Sequence, residues 1–191
     1  MDSTTREKWL ENATEMLRAG VFKRNGEIVP AVKLSIGFTG SRGNKLAVLG
    51  ACWHPAASAD KVSQIFLTPI CDDALEILGT LTHELIHAIY PAAGHGKVFK
   101  RCALKVGLAG KMRSTTTGPE LLAELKAMLE ILGPLPHAKL MPSKSGIKKQ
   151  GTRMIKCTCS ECGYVVRTVK TWLVAYGPPI CPCNLESMNQ E

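Results

Sequence analysis

No stretch of this chain approaches the ~20 consecutive apolar residues that a membrane-spanning helix needs, so no span is expected. The opening segment, MDSTTREKWL, lacks the apolar run of a secretory signal. No internal repeat is visible, and apolar residues are not scarce: at 45% they exclude a wholly disordered chain. Acidic residues are in short supply, 16 against 24 Lys and Arg, which leaves a formal charge of +8. The chain does contain eight cysteines. Without a secretory signal, these are expected as reduced thiols or metal ligands in a cytoplasmic or nucleoid-associated protein, not as disulfides. A length of 191 residues suits one main domain with room for a small second one.

Charge and cysteine are unevenly placed. Residues 1–80 carry 9 basic and 9 acidic side chains, residues 81–136 carry 7 and 4, and residues 137–191 carry 8 and 3. Cys52, Cys71 and Cys102 stand singly among apolar neighbours and read as small buried hydrophobes. Cys157, Cys159, Cys162, Cys181 and Cys183 crowd into the last part of the chain. Between the two regions, residues 133–152 read GPLPHAKLMPSKSGIKKQGT, with no periodic apolar pattern. The expected organisation is a domain over 1–136, a basic linker over 137–152 and a small module over 153–191.

In the first region, Thr4 and Glu7 fit a capping box, followed by Trp9, Leu10, Ala13, Met16 and Leu17 at helical spacing. Strands are predicted at 31–38, 46–53 and 62–67. Helices are predicted from Asp72-Asp73 to Ile89, over 97–106 and over 119–132. A helix, then strands, then helices indicates an α+β fold with a small three-stranded sheet.

Residues 83–87 read His-Glu-Leu-Ile-His. At about 100° per residue, His83, Glu84 and His87 fall within about 100° of one another, with aliphatic residues opposite. Two imidazoles one turn apart suit two ligands of a tetrahedral Zn²⁺, and Glu84 beside them suits a base acting on a metal-bound water. A third ligand is needed. His95, between Gly94 and Gly96, is the preferred candidate, with Glu120 or Glu124 as rivals at a longer spacing. His54 and His137 read as ordinary surface residues. Tyr90 and His54 are candidates for stabilising an oxyanion.

In the last region, Cys159 and Cys162 form a CxxCG knuckle and Cys181 and Cys183 form a CxC pair. Between them, Tyr164 to Trp172 alternates like a strand and Gly177 to Pro179 reads as a turn. Two cysteine pairs joined by a hairpin have the layout of a zinc ribbon, with Cys157 left as a free or auxiliary thiol. Some 35 residues build too small a core on their own, so a structural zinc is expected to supply folding energy. Basic residues interleave with aromatics here: Lys144, Lys148, Lys149, Arg153, Lys156, Arg167 and Lys170 with Tyr164 and Trp172. Such a pattern suits sequence-independent binding of DNA, single-stranded or damaged. Lys97, Lys100, Arg101 and Lys105 follow the third His and, where they face the cleft, would couple DNA to that site.

HELIHA followed by His95-Gly96-Lys97-Val98-Phe99 resembles the SprT-like metallopeptidases, whose eukaryotic relatives, the Spartan proteases, cleave proteins crosslinked to DNA. The resemblance covers about 65–99 and resumes in the cysteine module; the first 60 residues carry no matching motif. It implies a zincin-like peptidase domain, with His83, His87 and His95 on a catalytic zinc, Glu84 as the acid/base and protein substrates bound to DNA. The chain lacks the long tail of interaction motifs of the eukaryotic members and looks closer to compact bacterial or phage ones. The residues alone also admit a non-catalytic DNA-associated zinc protein or another HExxH zinc hydrolase.

Overall fold

The computed structural model describes residues 5–38, 48–142 and 154–190. The chain divides into two units, Met1–Pro142 and Ser143–Glu191. Lys148, Lys149 and Arg153 of the expected DNA-binding set, together with Lys144, lie outside the described residues. Among the described residues, no helix is long and apolar enough to cross a membrane.

The first unit is α+β. Helix α1 spans Arg6–Leu17 and buries Trp9, Leu10, Ala13 and Leu17. Its cap is Thr5, whose hydroxyl accepts from the Lys8 N–H at 3.1 Å. The expected capping box is therefore displaced: with Thr5 as cap, the third helical position is Lys8, which has no carboxylate to reach back. A widened helical turn, Arg18–Phe22, continues α1 and drives Val21 and Phe22 into the core.

Strands β1 (Val32–Ile36), β2 (Gly50–Trp53) and β3 (Ser63–Leu67) form a sheet in the order β1-β3-β2. β1 runs parallel to β3 and β2 antiparallel to it, which leaves β2 at an edge. Central β3 alternates: Ser63, Ile65 and Leu67 are buried while Gln64 and Phe66 are half-buried.

Helix α2 spans Ala74–Ile89 and packs on β2 and β3. The Asp73 carboxylate caps it, accepting from the Leu75 and Glu76 N–H groups at 2.8 and 3.1 Å. The sequence pattern sets an aliphatic face against a polar one. In the fold Ile77, Leu78, Leu81, Leu85 and Ile86 are buried, and so are His83 and Glu84. The polar face is thus sunk in a cleft and not laid open to solvent.

α3 (Lys97–Lys105) and α4 (Pro119–Leu132) complete the predicted helices. Between them lies a hairpin that the sequence reading does not contain, β4 (Leu108–Lys111) and β5 (Ser114–Thr117). Four consecutive hydroxyl residues, Ser114 to Thr117, carry no apolar alternation to announce a strand. Residues 137–142 continue on the first unit: His137 Nε2 lies 3.0 Å from the Pro69 carbonyl, which also accepts from the Leu140 N–H at 2.8 Å.

The second unit contains β6 (Ile155–Thr158), β7 (Val165–Thr168), helix α5 (Lys170–Tyr176) and β8 (Asn189–Gln190). Its sheet has the order β7-β6-β8, all antiparallel. The strand expected through Trp172 stops at Thr168, and Trp172 sits on α5 instead. Gly177, at φ 78°, ends that helix. Cys157, Cys159, Cys181 and Met188 make up the small core, with Val166 and Leu173 against it.

Candidate metal centres

His83 and His87 lie one turn apart on α2. After α2 a tight turn runs from Tyr90, whose carbonyl accepts from the Ala93 N–H at 3.0 Å, and the Ala93 carbonyl in turn accepts from Gly96 N–H at 3.1 Å. Gly94 holds φ at +50°, a left-handed conformation that favours glycine. This turn returns His95 to α2. His95 Nε2 stands 3.3 Å from His83 Nε2 and 3.2 Å from His87 Nε2. Three nitrogens at 2.0–2.1 Å from one tetrahedral zinc would be about 3.4 Å apart, so the donor set fits the ion. The rival carboxylates are elsewhere: Glu124 pairs with Arg24 at 2.6 Å, and Glu120 is exposed at the start of α4.

Phe99, fully buried, forms a floor for the three rings. Its centroid is 4.8, 4.5 and 5.0 Å from those of His83, His87 and His95. His83 Nδ1 lies 2.9 Å from the Thr115 hydroxyl of β5. A proton on that Nδ1 leaves the Nε2 lone pair free for a metal. Burial, then the neighbouring rings, push His83 and His87 down to about 4. Burial, then Arg113, lowers His95 as well. The trio is therefore neutral near pH 7, the form that binds metal.

Glu84 is buried at 5% exposure, and burial pushes its carboxyl up to about 8 against the Cys52 N–H, which donates to it. It is wedged against β2: a Cβ on Gly50 would meet Glu84 Oε1 at 2.8 Å and Thr80 Cγ2 at 2.7 Å. The cleft, about 750 Å³, runs along α2 between β2 and β5. Val48 to Cys52 line one side, Arg113 to Thr117 the other, with His83, Glu84, His87 and His95 between. Burial and then Glu84 push the Cys52 thiol up to about 12, so it stays protonated.

Tyr90 and His54, the candidates for oxyanion stabilisation, are not among the cleft residues. The Tyr90 hydroxyl donates to Glu27 at 2.7 Å, and His54 Nδ1 accepts from the Ala56 N–H at 3.0 Å. Sequence reasoning missed Thr115 and Arg113, because both come from the hairpin it did not contain.

In the second unit, Cys159, Cys162, Cys181 and Cys183 bring four sulfurs within 4.8 Å of one another. Sγ pairs lie 3.7 Å (Cys159–Cys183), 3.6 Å (Cys162–Cys181) and 3.4 Å (Cys181–Cys183) apart. Tetrahedral zinc with 2.3 Å bonds to sulfur would set them about 3.8 Å apart, so this set also fits. The Cys162 and Glu161 N–H groups donate to Cys159 Sγ and lower it to about 7. Cys157, buried in β6, is outside the four-sulfur group.

The two knuckles share one backbone. The Cys159 N–H donates to the Tyr164 carbonyl at 3.0 Å, and the Gly163 N–H to the Cys159 carbonyl at 3.1 Å. Likewise Cys181 N–H donates to Glu186 and Leu185 N–H to Cys181, both at 2.8 Å. Gly163 and Leu185 hold corresponding left-handed positions at φ 71° and 58°. A CxC pair thus builds the same turn as a CxxC pair.

Of the expected DNA contacts, Lys156 and Arg167 are directly opposed on β6 and β7. Lys170 begins α5, and Trp172 is exposed and stacks on Tyr176 at 5.8 Å. No family model, no curated protein and no solved structure matches the chain.

Proposed function

We propose that the chain is a zinc metallopeptidase of SprT-like type, a zincin-like domain followed by a ribbon-like zinc module, acting on proteins bound or crosslinked to DNA. The observation that carries this reading is the convergence of three neutral Nε2 atoms beside a buried Glu84 in an open cleft. Among the described residues no fourth protein ligand joins His83, His87 and His95. An open position is what separates a catalytic zinc from a structural one.

A zinc ion held there would polarise the scissile carbonyl, lower the pKa of a bound water towards ~7 and favour the ionised form of Glu84. The Glu84 carboxylate takes the water proton and later delivers it to the leaving amine. The Cys52 N–H and the close fit to Gly50 fix the direction of that carboxylate. β2 is an edge strand of its sheet and lines the cleft from Gly50 to Cys52, which supports an extended peptide as the occupant.

In the second unit, four thiolates would hold a structural zinc. Lys156 and Arg167 set two basic residues opposite one another on β6 and β7, and the exposed Trp172–Tyr176 pair offers a stacking face. Both features favour a nucleic-acid strand.

The test is cleavage of a basic protein by the zinc-loaded chain, with and without single-stranded DNA. The wild type is expected to cleave, and Glu84→Gln to retain zinc without cleaving. Undiminished cleavage by that variant would sink the mechanism.

A further inference from the structure

Strand β5 lies along α2 in a regular register. Gly79 meets Thr117, where a Cβ would come within 2.9 Å of Thr117 Cγ2. His83 meets Thr115 at 2.9 Å. Four helical residues advance about 6 Å, and two strand residues about 6.8 Å. One further step along this register leads to His87 on α2 and, on the hairpin, to Arg113 in the turn before β5. Arg113, in the turn that leads into β5, lines the same cleft as Thr115 and Thr117.

Arg113 belongs to a two-residue turn, since Lys111 and Ser114 are paired. Its turn neighbour Met112 packs against the core and pins the tip. Arg113 lines the cleft with the three neutral histidines and, among the described residues, is the only Lys or Arg that does. Of the three described acids of the cleft, Asp73 caps α2, Glu76 accepts from the Cys71 thiol at 3.1 Å, and Glu84 accepts from the Cys52 N–H. Among the described residues, Arg113 takes part in no ion pair.

A permanently charged guanidinium beside a dication site is unfavourable unless an anion comes between them. Both positive groups attract such an anion. We propose that Arg113 donates to the oxygen of the scissile carbonyl as negative charge develops on it. This rests on the peptidase reading above. Water loses one proton to Glu84, and its oxygen bonds to the carbonyl carbon. The π pair of the C=O bond moves onto the carbonyl oxygen, facing the Arg113 N–H groups. The C–N bond then breaks, its electron pair leaves on nitrogen, and Glu84 returns the proton there. The oxyanion pair re-forms a C=O bond as the C–N bond breaks, giving a carboxylic acid and an amine; the acid's proton then passes to the amine, leaving a carboxylate and an ammonium.

The experiment compares zinc-loaded wild type, Arg113→Ala and Arg113→Lys on one peptide, with kcat and KM measured separately. Calorimetry of a phosphinic peptide, which is tetrahedral and anionic, supplies a readout apart from activity. Arg113 is exposed, so Arg113→Ala is expected to fold and to keep its zinc. Its kcat should fall about 10²–10³-fold, as for loss of one oxyanion donor. KM should stay within a few-fold, phosphinate affinity should drop about as much as kcat, and Arg113→Lys should recover part of both. A raised KM with unchanged kcat would overturn the proposal, because Arg113 would then bind substrate in its ground state. Equal phosphinate affinity in wild type and Arg113→Ala, or no binding by either, would overturn it too. If the wild type cleaves no peptide, the peptidase reading fails. An Arg113-dependent phosphinate affinity would then still uphold the placement of Arg113 as the anion-binding group.

Discussion

His83 Nδ1 and the Thr115 hydroxyl stand 2.9 Å apart, joining α2 to a hairpin 32 residues further along the chain. The contact holds the ring plane of a candidate metal ligand, with the hydroxyl able to accept an Nδ1 proton. Thr115→Val keeps the shape and removes the acceptor. Zinc affinity of the histidine site should fall about 10–100-fold, the usual result of losing such a partner. A competition titration with a chromophoric chelator measures it, and unchanged affinity would leave the contact without a role.

Gly50 tests the fit of β2 against α2. An added methyl would lie 2.8 Å from Glu84 Oε1 and 2.7 Å from Thr80 Cγ2. Gly50→Ala should cost about 1–3 kcal/mol, the usual range for overpacking. It should also lower cleavage more than zinc content, because it displaces Glu84 and not the histidines. Denaturant melts and metal analysis check the two halves separately.

The metal-free chain should show two opposed pH arms. His83 and His87 are held down at about 4 against an ordinary 6.5, so their contribution to stability is full above 6.5 and is lost as pH falls towards 4. Glu84 is held up at about 8 against 4.5, so its contribution is full below 4.5 and is lost as pH rises towards 8. Glu84→Gln deletes the second arm. In chelator, that variant should lose stability on acidification from 6.5 more steeply than wild type, as read from denaturation midpoints. Parallel curves would contradict the buried, protonated Glu84.

The knuckles make a paired prediction. Nothing lies within 4 Å of a Cβ built on Gly163, so Gly163→Ala carries only the backbone cost of φ +71°, about 1 kcal/mol or slightly more. Leu185 already bears that cost at φ 58° with its side chain exposed, so Leu185→Gly should not destabilise. Thermal melts of the zinc-loaded chain, with increasing chelator, would show the asymmetry.

Much of this was legible in the sequence because local chemistry dictates it. Asp73 caps α2, Pro91 follows its end, and Gly94 sets the turn that returns His95; each is a residue-level signal. The cysteine knuckles are local as well. Less legible were features set by distant partners. In the β4–β5 hairpin, β5 consists of hydroxyl residues whose strand character comes from pairing with β4 and packing on α2, and Thr115 and Arg113 were missed with it. The burial of His83 and Glu84 likewise depends on β2 and β5 closing over a face that periodicity alone marks as polar. In the second unit, the alternation of Tyr164 to Trp172 suggested one strand, but the chain turns into α5 at Lys170 and directs Leu173 onto the cysteine core.

Anomalous diffraction at the zinc edge, from crystals of the zinc-loaded full chain, tests the central claim most directly. Two peaks per chain are expected. One should lie about 2.0–2.1 Å from His83, His87 and His95 Nε2, with its fourth position free of protein atoms. The other should sit among the four cysteine sulfurs. A vacant histidine site, or one closed by a fourth protein ligand, would contradict a catalytic zinc in this protein.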